Sequence, residues 1–143
     1  MSQRQILRVS GPDAADFLQN LVTNNVDPAA DTLVYAALLT PQGKFLVDFF
    51  IASDADGFLL DVAEGFADGL AQRLTMYRLR AAVEIATAPL FVHRGLGQPP
   101  ADGFADPRSA AMGWRAYRDT APAPDTVDWT ALRVRETIPE TGV

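Results

Sequence analysis

The spacing of hydrophobic residues divides most of the chain into short strands and amphipathic helices. Residues 5–9 alternate in the manner of a strand, and apolar side chains recur at helical spacing over residues 11–22. Three strand-like runs follow, separated by short links rich in Pro, Gly and Asp, at residues 33–40, 44–53 and 58–62. Links of this length predict that the three runs form an antiparallel meander.

The rest of the pattern lacks the strand–helix–strand rhythm of a parallel sheet. It predicts a second helix over residues 64–80, strands over residues 82–86, 90–93 and 112–117, a Gly/Pro/Asp-rich surface loop over residues 95–107, and a last helix over residues 125–134. Together these elements predict an α+β fold of antiparallel sheets with flanking helices.

Composition narrows the class of protein. A chain of 143 residues, 48% of them hydrophobic, suits one globular domain, or one domain and part of another. Its apolar runs stay far below the roughly 18 residues that a membrane span needs, and no basic and apolar signal segment opens the chain. We therefore expect a soluble, cytoplasmic protein with no membrane partner.

Charge and residue types exclude several kinds of chemistry. A net charge of −6 disfavours a nucleic-acid partner, because phosphate contacts dominate that affinity. The chain has no cysteine, which excludes thiolate metal ligands within it, and we expect no metal site. Its single histidine, His93, is not accompanied by a G-x-S-x-G motif, and neither a Walker loop nor a G-x-G-x-x-G motif is present.

One acidic residue interrupts the most hydrophobic predicted strand. Asp48 lies within residues 45–51, a run that otherwise predicts a strand buried on both faces. An unpaired carboxylate in that place would cost several kcal/mol or take up a proton, so it requires a partner or faces a pocket. The competing interpretation is a structural ion pair or a hydrogen bond to a loop amide, and Lys44 lies four residues away on the same strand face.

Residues just before this strand offer contacts to a flat ligand. Tyr35 lies on the preceding predicted strand, and Thr40 and Gln42 belong to the turn that connects the two. An aromatic face and exposed backbone amides near a carboxylate would suit a nitrogen-rich heterocycle, although turns of this composition are common. The residues alone do not identify the ligand.

Two further polar groups have both a structural and a ligand-binding interpretation. Asn24 and Asn25 would end a helix or hydrogen-bond a ligand. Arg78 and Arg80 would complement the end of the second helix or hold an anionic tail. The structural interpretation is the commoner one in both cases.

The order and spacing of these segments resemble the YgfZ/GcvT-like family. The resemblance covers nearly the whole chain and rests on residues 7–14, 17–24, 35–49, 58–62, 74–80, 106–108, 113–115, 133–135 and 138–142. The family shares its fold with the aminomethyltransferase T-protein of glycine cleavage, which binds tetrahydrofolate in a central cavity.

The resemblance implies a reduced folate as the ligand. In the aminomethyltransferase the corresponding strand carries paired acids, one of which contacts the folate, whereas this chain has Val47 followed by Asp48. By analogy Asp48 faces the pterin, with Tyr35, Thr40 and Gln42 as its neighbours. The resemblance thus supports tetrahydrofolate binding more than it supports aminomethyl transfer.

The resemblance also implies a function. YgfZ-type members are implicated in the assembly or repair of iron–sulfur enzymes, so we expect a tetrahydrofolate-binding accessory protein that works with iron–sulfur proteins and without turnover. A folate-dependent aminomethyltransferase and a non-catalytic structural or partner-binding domain are the alternatives. We further expect a first GcvT-like subdomain over residues 1–95 and the start of a second over residues 96–143, cut before the family's Lys-Gly-Cys-x-x-Gly-Gln-Glu motif.

Overall fold

The computed structural model describes residues 4–23, 32–39, 42, 44–54, 57–108 and 110–122. Within these residues the chain forms two antiparallel sheets, two α-helices and a 3-10 turn. In chain order they are β1 (Arg4–Ser10), α1 (Ala14–Gln19), β2 (Val34–Leu39), β3 (Phe45–Asp54), β4 (Gly57–Ala63), α2 (Glu64–Tyr77), β5 (Glu84–Ala88), β6 (Phe91–Gly95), β7 (Gly103–Ala105), the 3-10 turn (Ala110–Met112) and β8 (Trp114–Arg118). The predicted α+β class is confirmed.

The larger sheet contains the predicted meander. Its five strands lie in the order β2-β3-β4-β1-β5, with every pair antiparallel. The register sets Tyr35 opposite Phe50 and Phe50 opposite Asp61. Because side chains alternate between the faces of a strand, Asp48 lies on the same face as Phe50, two residues along β3.

One face of this sheet packs against both helices. Val47, Phe49 and Ile51 of β3 point to that side, into a core that α2 completes with Leu70 and Leu74. The longer helix, α2, has 14 residues. In the described part of the chain no helix is both long enough and apolar enough to cross a membrane.

The smaller sheet covers the other face. Its strands lie in the order β6-β8-β7, and its half-buried side chains pack against Phe50 and Leu59 of the larger sheet. They include Val92, Phe104 and Tyr117. The sheet face that carries Asp48 therefore points towards the layer of side chains between the two sheets.

Several elements differ from their predicted extent, and β5 and β8 each begin two residues later than predicted. The first helix is shorter than residues 11–22, and α2 ends at Tyr77 because Leu79 has a positive φ of 46°, which no helix continues. The predicted loop over residues 95–107 contains β7, a strand of 3 residues. The predicted helix over residues 125–134 lies outside the described residues.

Candidate functional site

Asp48 and Tyr35 are directly joined in the structure. The Tyr35 hydroxyl donates a hydrogen bond to Asp48 Oδ2 across the β2–β3 pair. Asp48 is 9% exposed, and Tyr35 is half-buried beside it. Burial, and then the neighbouring Asp48 carboxylate, raise the pKa of the Tyr35 phenol, so Tyr35 is a neutral donor at neutral pH.

An aromatic pair and a guanidinium adjoin this carboxylate. The rings of Tyr35 and Phe50 lie 5.3 Å apart between centroids and are inclined by 50°. The Arg108 guanidinium carbon lies 4.8 Å from the centre of the Phe50 ring and 5.7 Å from that of Tyr35. Both distances are within the range of a cation–π contact.

Asp106 fixes the position of Arg108. Its Oδ1 accepts a hydrogen bond from the Nε of Arg108 at 3.1 Å, and its Oδ2 accepts one from Nη2 at 2.8 Å. Oδ1 also accepts the backbone N–H of Arg108 at 2.9 Å, which closes a local turn. Asp106 is 4% exposed, so this fork holds the guanidinium over the aromatic pair with little freedom.

A second carboxylate on the same sheet face is fully enclosed. Asp61 accepts from the Nε of Arg4 and from the Nε of Arg115, each at 2.7 Å, and from the Tyr117 hydroxyl at 2.9 Å. Burial alone would raise the pKa of Asp61. The nearby Arg115 and Arg4 charges outweigh burial and hold this pKa well below its usual range. The same environment raises the pKa of Tyr117, chiefly through burial and then through Asp61.

Several arginine side chains lie in the layer between the two sheets. Arg115 lies over the Phe50 ring at 4.3 Å and Arg4 lies over it at 5.8 Å. Arg94 on β6 is half-buried, and burial together with the nearby Arg115 and Arg108 charges lowers its pKa to about 9. It therefore stays protonated at neutral pH, and the layer combines aromatic rings with guanidiniums on the side that Asp48 faces.

This arrangement suits recognition of a flat polar ligand. Asp48 can accept N–H donors, the aromatic rings offer apolar surface, and Arg108 supplies a fixed cation. Asp61 forms a structural ion pair with one arginine from β1 and one from β8.

The predicted site residues are only partly brought together. Tyr35 and Asp48 are in contact, whereas Gln42 is an exposed turn residue. Thr40, Asn24 and Asn25 lie outside the described residues. The assignment of these residues to a folate site stays a prediction.

The sequence did not reveal Asp61 or Arg108 as members of this layer. Asp61 interrupts an apolar strand just as Asp48 does, and that signal was available within residues 58–62. Arg108 had no such signal, because its aromatic partners Tyr35 and Phe50 are distant in sequence and meet it only when the two sheets pack.

Curated relatives of the chain carry a consistent name. This chain is 35% identical over 151 residues to "Iron-sulfur cluster assembly factor IBA57, mitochondrial" of Homo sapiens, and the match covers 84% of this chain and 42% of that protein. It is 33% identical over 157 residues to the homologue of Pyricularia oryzae, with 94% and 40% covered. The chain thus spans about two fifths of the length of these relatives. Because their names place them in mitochondria, the prediction of a cytoplasmic protein is wrong.

A solved structure and a family profile agree on the fold. The crystal structure of glycine cleavage system aminomethyltransferase T from Bartonella henselae matches 99% of this chain and 32% of its own, at a TM-score of 0.54 and 15% identity. At that identity the likeness concerns the fold alone. The profile of the GCVT N-terminal domain matches residues 1–90, which is more than half of the chain. The chain therefore belongs to the GCVT N-terminal domain family.

Proposed function

We propose that the protein is a YgfZ-type accessory factor of iron–sulfur cluster assembly or repair, and that it binds tetrahydrofolate. The similarity to the human assembly factor, 35% identity over 84% of this chain, carries the first half of the proposal. Iron–sulfur proteins would then be its partners. The hydrogen-bonded pair of buried Asp48 and half-buried Tyr35 supports the second half.

The residues around Asp48 fit a pterin in their chemistry. A pterin presents an amino group and a ring N–H side by side, and a carboxylate accepts such a donor pair in two parallel hydrogen bonds. Tyr35 and Phe50 offer aromatic surface beside that carboxylate, and Arg108 is held over both rings. When bound, tetrahydrofolate supplies a reduced ring system that carries one-carbon units.

Calorimetric titration with tetrahydrofolate tests the ligand. We expect saturable binding to the 143-residue chain and a loss of about 1.5–3 kcal/mol in Asp48→Asn, the cost of a charge-assisted hydrogen bond. That loss corresponds to an affinity about 10- to 150-fold weaker. Asp102→Asn is the matched control, because Asp102 is an exposed acid paired with Arg118. Unchanged affinity in Asp48→Asn would remove Asp48 from the site, and absence of binding would leave a partner-binding module.

Cells that lack their own GcvT-like assembly factor test the iron–sulfur role. Expression of the protein should restore the activity of iron–sulfur enzymes, and Asp48→Asn should restore less. Full restoration by Asp48→Asn would separate the cellular role from folate binding. Absence of restoration by the unaltered protein would contradict the role in this chain.

A folate-dependent aminomethyltransferase is the second candidate, favoured by the fold of the glycine cleavage enzyme. Against it, the residue before Asp48 is Val47, which is 4% exposed and packs in the core against the helices. The strand therefore lacks the paired acids that the resemblance associates with the enzyme. Formation of methylene-tetrahydrofolate from an aminomethyl donor would establish this activity in place of the accessory role.

The division into a first subdomain over residues 1–95 and a second over residues 96–143 remains a proposal. The smaller sheet begins at Phe91 and packs on the larger one through Tyr117 and Phe104. Limited proteolysis followed by mass spectrometry would show whether cleavage concentrates near residue 95.

A further inference from the structure

An open apolar groove lies where the end of α1 approaches the end of α2. It encloses about 490 Å³, and its lining includes Leu21, Leu39, Met76, Tyr77 and Leu79. Three of these side chains are large, apolar and exposed, with exposed fractions of 36% for Leu39, 58% for Met76 and 88% for Leu79. Clustered exposed apolar side chains of this kind mark interaction surfaces.

The backbone holds Leu79 in a conformation that leucine disfavours. Its φ of 46° lies in the left-handed region, and among the described residues it is the one non-glycine with positive φ. The turn is fixed on both sides of Leu79. The Ala81 N–H donates to the Arg78 carbonyl at 2.7 Å, and the Ala82 N–H donates to Asp13 Oδ2 at 2.7 Å. Strained residues of this kind cluster at ligand-binding sites, and this one presents an almost fully exposed leucine beside the groove.

The segment that supplies Met76, Tyr77 and Leu79 to the groove is positively charged although the protein is acidic. Residues 69–83 contain three arginines, Arg73, Arg78 and Arg80, and no acidic residue, in a chain of net charge −6. All three side chains are exposed. Arg73 precedes Met76 by three positions on α2, so both belong to one side of the helix. On α1 the acidic side chain is Asp16, one turn before the groove residue Asn20.

We propose that this groove docks a partner protein through an acidic amphipathic helix with leucine or isoleucine anchors. The anchors would pack against Leu79 and Met76, and Met76 adapts readily to differing apolar shapes. Acidic residues beside the anchors would pair with Arg78 and Arg80. Recognition of this kind follows the general pattern of an amphipathic helix in an apolar groove. The surface consists of the segment after α1, the end of β2 and the end of α2 with the turn that follows it, and it does not depend on folate binding at Asp48.

Fluorescence anisotropy with a labelled synthetic helix tests the proposal. The probe has glutamates and leucines at positions four apart, and its counterpart has every glutamate replaced by lysine. We expect the acidic helix to bind the full chain and the lysine helix to bind at least about tenfold more weakly. Arg78→Gln should weaken binding of the acidic helix.

The Leu79→Gly variant separates docking from folding. Glycine removes the anchor contact and relieves the left-handed strain, so affinity for the acidic helix should fall at least about fivefold while the melting temperature stays level or rises. Leu96→Gly is the matched control, because Leu96 is an exposed leucine outside the groove, with 51% of its surface exposed. Its affinity should equal that of the parent.

Several outcomes would overturn the proposal. These are absence of binding, equal binding of the lysine helix, or an affinity that Leu79→Gly leaves unchanged. A concentration-dependent dimer that Leu79→Gly abolishes would assign the groove to a second copy of the chain. Binding that appears only after residues 24–31 are replaced by glycine and serine would assign the groove to the chain's own neighbouring segment.

Discussion

Two buried carboxylates share one face of the larger sheet, and their surroundings differ. Asp61 is 1% exposed, and both of its oxygens accept from charged donors, Arg4 on one and Arg115 on the other. Asp48 is 9% exposed and accepts from the neutral Tyr35 hydroxyl on the adjacent strand. The same sequence pattern, an acid that interrupts an apolar strand, therefore occurs in two different surroundings.

The difference assigns separate roles to the two acids. Asp61 joins β1 and β4 to β8, so its ion pairs hold the two sheets together. Tyr35 orients Asp48 through a hydroxyl that donates to it, and a carboxylate is suited to accept N–H donors of a ligand. The first acid should matter for stability, and the second for binding.

The largest expected effect is that of Asp61→Asn on stability. Removal of the charge leaves two arginines in the layer between the sheets without their shared anion, and breaking a buried pair of this kind costs about 3–5 kcal/mol. Urea unfolding followed by circular dichroism measures the loss. A loss below about 1 kcal/mol would show that the ion pairs do not hold the sheets together.

Acid should remove the stability that Asp61 supplies. Its pKa is lower in the folded protein than in the unfolded chain, where it is about 3.9, so the contribution is present above that value and is lost as the pH falls below it. We expect the stability difference between the parent and Asp61→Asn to shrink from pH 5 towards pH 2. A difference that stays constant over this range would contradict the assignment.

Tyr35→Phe should have a smaller effect. The substitution keeps the ring beside Phe50 and removes the Tyr35 hydroxyl that donates to Asp48, and the loss of one hydrogen bond costs about 0.5–1.5 kcal/mol. Urea unfolding measures the stability, and tetrahydrofolate titration shows whether an unoriented Asp48 binds less well. A loss as large as that of Asp61→Asn would erase the distinction between the two acids.

Gln42→Ala should change stability least. Gln42 is exposed in its turn, and surface substitutions of this kind stay within about 0.5 kcal/mol. The informative measurement for this variant is tetrahydrofolate titration, because a weaker affinity with unchanged stability would include the turn in the site. Unchanged affinity would exclude the Gln42 side chain.

Local pattern was sufficient to predict the elements of the larger sheet. Strands β1 to β4 lie within one residue of their predicted bounds, and the short links predicted the antiparallel pairing of β2, β3 and β4. The contact between Tyr35 and Asp48 follows from the same pairing, because the two residues lie on adjacent strands of one hairpin.

The packing of the smaller sheet on the larger one could not be predicted from local sequence pattern. Arg115 and Tyr117 reach Asp61 from more than 50 positions away, and no local pattern encodes which face of one sheet meets another. Strand β7 was missed because 3 residues are too few for alternation to show, and it is defined by pairing with β8. The left-handed Leu79 was missed because no local signal in residues 78–83 marks a turn.

The role of Asp48 as a binding residue is tested most directly by unfolding with and without ligand. Unfolding in urea, with tetrahydrofolate absent or at about 100 times its dissociation constant, should show a stabilisation of about 2.7 kcal/mol in the parent. Asp48→Asn should lose much of that stabilisation while its stability without ligand stays within about 1.5 kcal/mol of the parent. Equal stabilisation of the parent and Asp48→Asn by tetrahydrofolate would contradict the role of Asp48 as the folate-binding acid.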